Sequence, residues 1–161
     1  HQKKVLPDDG SDAANFYVLN APEWINVIAL TNANEVVLVE QYRHGIDETT
    51  LEIPGGMVDK GEKPIRAAKR ELLEETGYES GSWEPLGRAS SNPAILSNYT
   101  YLFLARECKK TSPQQTDGHE DIKVHTLPLE KFLRLVDEDI VHHSIVLAGV
   151  AKFLLKYPEY A

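Results

Sequence analysis

One cysteine and one methionine are all the sulfur that this chain of 161 residues carries. Cys108 has no second cysteine to pair with, so an internal disulfide is excluded, and no Cys/His cluster has the spacing of a zinc site. Nowhere do about 18 apolar residues run together, and the first residues show no charged-then-apolar leader. A reducing, cytoplasmic setting without a membrane partner is therefore expected. Positive charge is also scarce: 17 Lys and Arg against 25 Asp and Glu leave a formal net charge of −8. Such a surface does not gather nucleic acid or anionic lipid by counterion release, and a polyanionic substrate would need a bound cation as intermediary.

What is present suffices for one core. With 42% hydrophobic residues the chain fits a single domain spanning residues 1–161. Runs rich in β-branched residues, bounded by turn formers, predict strands at 15–19, 25–30 and 35–41, with Asn32-Ala33-Asn34 as a hairpin turn. A loop over 42–50 leads to a short run at 51–53, after which Pro54-Gly55-Gly56 stops regular structure. Helical periodicity spans 63–76, with Pro64 in the first turn, Gly77 past the end and Ile65, Ala68 and Leu72 as the apolar stripe. Further strands are expected at 83–89, 100–107 and 122–127, and helices at 129–137 and 144–157. This order implies an α/β domain, layered α/β/α around a mixed sheet, with a short N-terminal β element over about 1–23.

The helix at 63–76 breaks two local rules at once. Glu71, Glu74 and Glu75 share an arc of about 100°, where like charges at i,i+3 and i,i+4 repel, and they sit in the last turns, where acids oppose the helix dipole. A lone Glu-Glu pair is usually a solvated helix face. Three acids, with Glu62 in the preceding turn as a fourth, instead suit a hard divalent cation that takes oxygen ligands and leaves room for phosphate.

Gly56, five residues, Glu62, seven residues, then Arg70-Glu71-Leu72-x-Glu74-Glu75-x-Gly77 resembles the signature of the Nudix hydrolases, with Tyr78 where an aliphatic residue is usual. The resemblance implies a Nudix-type α/β/α sandwich whose strand–loop–helix holds Mg²⁺, or Mn²⁺, for water attack on a diphosphate. It makes Glu71 and Glu75 the principal metal ligands, with Glu75 also catalytic and Glu74 an additional ligand. Gly55 would offer its backbone carbonyl to the metal, and Glu62 and Arg70 would position the acids.

Gln41-Tyr42-Arg43 followed by Leu51-Glu52-Ile53-Pro54-Gly55-Gly56 is similar to the corresponding stretch of ADP-ribose and nucleotide-sugar pyrophosphatases. Arg43 would then face the substrate's phosphates and Glu52 its nucleoside or ribose. Pro93, fifteen residues after Tyr78, stands where a proline marks the ADP-ribose branch, although Ala94 and Asn98 replace that branch's usual glycine and glutamate. A nucleotide sugar such as GDP-mannose therefore competes with ADP-ribose as substrate. Glu120 resembles the loop acid that this branch supplies as a metal ligand or general base. Trp24 could stack on a base or simply pack, and His44 is the one histidine to watch. Relatives of this kind commonly form homodimers through an N-terminal β region, so a homodimer acting on a small nucleoside diphosphate derivative is expected. The alternatives are a non-catalytic nucleotide-sugar sensor and a hydrolase of dinucleotides such as NADH.

Overall fold

The computed structural model describes residues 1–5, 14–115 and 121–160. Strands β1 (Gln2–Val5) and β2 (Ala14–Tyr17) form an antiparallel hairpin of their own. The main sheet is built from β3 (Trp24–Thr31), β4 (Glu35–Arg43), β5 (Glu48–Glu52) and β6 (Gly55–Met57), then, after helix α1 (Pro64–Thr76), from β7 (Tyr78–Glu79), β8 (Ser82–Ala89), β9 (Thr100–Lys110) and β10 (Lys123–Pro128). Helices α2 (Leu129–Asp137) and α3 (Ser144–Lys156) and a short 3₁₀ turn (Pro158–Tyr160) follow.

The central path runs β10-β4-β3-β9-β7, with β5 added to β4, β6 to β3 and β8 to β9. Only the β3–β9 pairing is parallel, which makes the sheet mixed. Side-chain alternation explains how one strand serves two layers. Ile25, Val27 and Ala29 of β3 face α1, where they meet Ala67, Ala68 and Leu72. Ile28 and Leu30 face the opposite layer, where Phe132 of α2 and Val146, Val150 and Phe153 of α3 cover them. Burying a side chain such as Leu72 or Phe153 stabilises the fold by about 1.5–3 kcal/mol relative to exposure. The expected α/β/α sandwich is the observed one. Among the described residues no helix is long and apolar enough to cross a membrane.

Four differences from the sequence-based expectations concern short or edge elements. Within the N-terminal β element expected over about 1–23, β1 was not read as a separate strand, because Gln-Lys-Lys-Val carries no apolar alternation. Most of the loop expected over 42–50 is strand: β4 continues to Arg43 and β5 begins at Glu48. Gly55 and Gly56 continue regular structure as β6, opposite Asn26 and Ile25. A side chain on Gly55 would collide with Asn26 and the Ile25 carbonyl, so the glycine serves close strand approach and not a break. Finally, Ala67 joins the buried stripe of α1, while Ile65 packs at its edge.

Candidate active site

Helix α1 starts without a side-chain cap, has Pro64 in its first turn, and stops at Gly77, which takes the left-handed conformation (φ 74°) and donates its N–H to Leu73 O at 2.8 Å. The last carbonyls are satisfied from outside the helix. Gln115 N–H reaches Glu74 O at 2.8 Å, the Gln114 amide reaches Glu75 O at 2.6 Å, and Thr111 N–H reaches Gly77 O at 2.9 Å. The same Gln114 amide donates to Ile122 O at 3.1 Å. The described residues on either side of 116–120 are thus tied to the acidic end of α1.

The repulsion expected among the helix acids is offset by Arg70. Its Nη1 donates to Glu71 at 2.8 Å and to Glu74 at 3.1 Å, while Nη2 donates to Glu62 at 3.0 Å and to the Met57 carbonyl at 3.0 Å. Glu62, held mainly by that guanidinium, sits below the usual carboxylate range, and Arg70 is kept charged by its acidic partners. Glu75 is turned inward, only 5% exposed, and accepts the Gly55 N–H at 2.9 Å. Glu71 lies directly under Gly56, where any Cβ would overlap its carboxylate. A glycine is needed there for space alone.

Glu71, Glu74 and Glu75 line a cleft of about 400 Å³ together with Gly55, Gly56 and Arg43. Arg43 is held by a two-pronged pair with Glu52: Nε to Oε1 and Nη2 to Oε2, both at 2.7 Å. Two of the five guanidinium donors are used in this way. Glu52 itself is 1% exposed and also accepts from Thr50 Oγ1 at 2.5 Å and from His143 Nδ1 at 2.8 Å. Burial pushes its carboxyl up, but the Arg43, His143 and Thr50 hydrogen bonds outweigh this and bring it down to about 2. Glu52 is not a solvated strand end, and it also lines a cavity beside the cleft. Its oxygens are occupied by protein donors, and it aims Arg43.

Gly55, Glu71, Glu74, Glu75, Arg43, Glu62 and Arg70 therefore come together in the fold. Pro93 does not: it is exposed in the turn before Leu96, which bridges to Leu19, and it borders neither this cleft nor the adjoining cavity. Glu120 lies outside the described residues. That adjoining cavity, of about 570 Å³, shares Trp24 and Arg43 with the cleft and is further walled by His44, Ile46, His142 and His143. His143 and Thr50 were missed. No local pattern marks a histidine that meets its partner 91 residues away.

Among the described residues no three His, Cys, Asp or Glu side chains already form a coordination shell, because Glu71 and Glu74 point to Arg70 and Glu75 to Gly55. The donors nevertheless fit a hard divalent cation: all are oxygens, two are carboxylates now balanced by a guanidinium, and they share one cleft wall. Cys108 is no competing nucleophile, since burial pushes its thiol up to about 12.

A mixed sheet between helical layers, with acids of one helix and a braced arginine lining one cleft, has the parts that a hydrolase of phosphate anhydrides needs. Residues 23–147 match the NUDIX domain model, and the chain belongs to the Nudix family of pyrophosphatase hydrolases. It is similar to the methanol dehydrogenase activator of Bacillus methanolicus, 34% identical over 134 residues that cover 83% of this chain and 72% of the relative. The ADP-ribose pyrophosphatase of Bacillus subtilis is 29% identical over 86% of this chain and 76% of its own. An ADP-sugar pyrophosphatase of Mus musculus is 43% identical over 63% of this chain and 49% of its own. A crystal structure of an ADP compounds hydrolase superposes with a TM-score of 0.81 over 96% of this chain and 82% of that one, at 20% identity, which bears on the fold.

Proposed function

We propose that the chain hydrolyses the diphosphate of ADP-sugar compounds, ADP-ribose first among them, to a nucleoside monophosphate and a sugar phosphate with Mg²⁺ as cofactor. The observation that carries this is that the Glu52-braced Arg43 and the acids Glu71, Glu74 and Glu75 line one and the same cleft. Glu71 and Glu75, with the Gly55 carbonyl and Glu74, would hold the cation, which supplies neutralisation of phosphate charge and activation of water. Arg43 binds and orients the diphosphate so that its phosphorus stays in line for attack. Arg70 fixes Glu71 and Glu74, while Glu62 anchors Arg70 from the opposite side. Glu120 is the general base of this reading, with Glu74 the other acid at hand. Its support is that Gln115, before the segment containing it, bonds the last turn of α1, while Ile122, after it, is held by the Gln114 amide that also bonds Glu75 O.

The same reading takes residues 1–161 as one cytoplasmic domain and as a homodimer. Phe16, Tyr17, Leu19 and Ile95, each about half or more exposed along β2 and the loop beside it, supply an apolar surface for the pairing.

Incubating the protein and Mg²⁺ with ADP-ribose, ADP-glucose, GDP-mannose, UDP-glucose and NADH should release monophosphate fastest from the ADP-sugars and stop in EDTA, with light scattering on the same sample giving a dimer mass. Formation of nucleoside diphosphate and free sugar, or turnover indifferent to EDTA, would overturn the assignment. Likeness to a methanol dehydrogenase activator favours a second reading, a regulatory module. That reading requires ligand-raised Tm with no monophosphate released from any compound.

A further inference from the structure

Glu52 is over-determined. An ionised carboxylate offers about four acceptor positions, and here Oε1 takes Arg43 Nε and Thr50 Oγ1 while Oε2 takes Arg43 Nη2 and His143 Nδ1. Arg43 and Thr50 belong to the β4–β5 pair itself, so His143 is the one anchor that comes from another layer. Because Glu52 stays ionised and can only accept, a neutral His143 ring must carry its proton on Nδ1.

His143 stands immediately before α3, but the seat of that helix does not depend on it. Val146, Val150 and Phe153 are buried against the sheet, and Leu147 N–H bonds the His143 backbone carbonyl at 3.0 Å whatever the side chain. Truncating the ring therefore removes one hydrogen bond on Glu52 and leaves the helix docked. Without that bond the carboxylate plane is set by Thr50 and Arg43 alone, and the guanidinium loses a fixed partner plane.

We propose that His143 is a positioning residue for substrate recognition: through Glu52 it fixes the plane in which Arg43 presents its remaining donors to the phosphates. The substrate half of this statement rests on the pyrophosphatase reading. The orientation half does not, and the experiment separates them.

Three full-length variants test it. His143→Ala removes the donor, His143→Asn restores an N–H near the Nδ1 position, and His143→Gln places one near Nε2, beyond reach of Glu52. In ¹⁵N-arginine-labelled protein the Arg43 Nε–H should exchange with solvent about tenfold faster in the Ala and Gln variants and at the wild-type rate in the Asn variant, with Arg70 Nε–H unchanged. For the best substrate of the panel, KM should rise about tenfold in the Ala and Gln variants while kcat stays within about twofold, and Asn should restore KM. Should no compound be hydrolysed, calorimetric Kd for ADP replaces KM with the same expectation. Unchanged Arg43 exchange in the Ala and Gln variants overturns the proposal, as does altered exchange with unchanged KM or Kd. A lower Tm alone would make the contact a tie between α3 and β5. If the Ala variant does not fold, the Asn and Gln pair distinguishes the same outcomes.

Discussion

Replacing Glu75 by Gln is expected to lower kcat by about a hundredfold or more, because loss of an outer partner of a metal ligand already costs about 10–100-fold and the proposed function makes Glu75 a ligand itself. The fold should survive. Gln keeps a carbonyl oxygen that can accept the Gly55 N–H, so the buried contact at 2.9 Å persists without its charge assistance. The cost is then about 1 kcal/mol, the difference between a charge-assisted and a neutral hydrogen bond. Glu71→Gln should behave alike in turnover and still more mildly in stability, since Arg70 keeps Glu62 and Glu74 as partners. Steady-state kinetics under saturating Mg²⁺, with melting curves beside them, checks both. Near-wild-type turnover in either variant would remove the acidic wall from the chemistry.

The sequence made that wall legible because its chemistry is local. Glu71, Glu74 and Glu75 lie within two turns, Pro64 and Gly77 bound the helix by backbone rules, and the acids contradict the dipole in a way that asks for a cation. The central strands were legible for a related reason: Ile25 to Leu30 alternate between two covered faces and read as an apolar run interrupted only by Asn26. The brace on Arg43 was not. A glutamate between Leu51 and Ile53 carries no mark of being 1% exposed, because its burial comes from β5 lying beneath the start of α3. The ribose contact that the resemblance implied for Glu52 stands beside an ion pair that only the tertiary fold shows. The place of Pro93 was hidden for a different reason: a proline at a given distance from Tyr78 fixes a turn, and where that turn lies depends on its docking to Leu19 and Pro22.

That buried pair also sets a pH dependence that a single substitution should erase. The Glu52 carboxyl, ordinarily at 4.5, is held at about 2 in the folded chain: burial opposes ionisation, while Arg43, His143 and Thr50 favour it more strongly. A group whose folded pKa is depressed binds protons more readily when unfolded. Its contribution is therefore complete above about pH 4.5, shrinks as the pH falls, and is gone near pH 2; the separation corresponds to about 3 kcal/mol. Glu52→Gln removes the titration and leaves Arg43 with a neutral partner. At pH 7 the variant should lose about 2–4 kcal/mol, below the full cost of a broken buried pair because Arg43, 30% exposed, can turn to water. For a domain of this size that is a Tm lower by roughly 5–15 °C. Other depressed acids, Glu62 and Glu84 among them, titrate in both proteins and cancel in the difference. Melting curves of wild type and variant should accordingly converge between pH 4.5 and the acid limit at which the fold is lost. Profiles that stay parallel across that range would mean that Glu52 is not the ionised centre of the Arg43, His143 and Thr50 cluster.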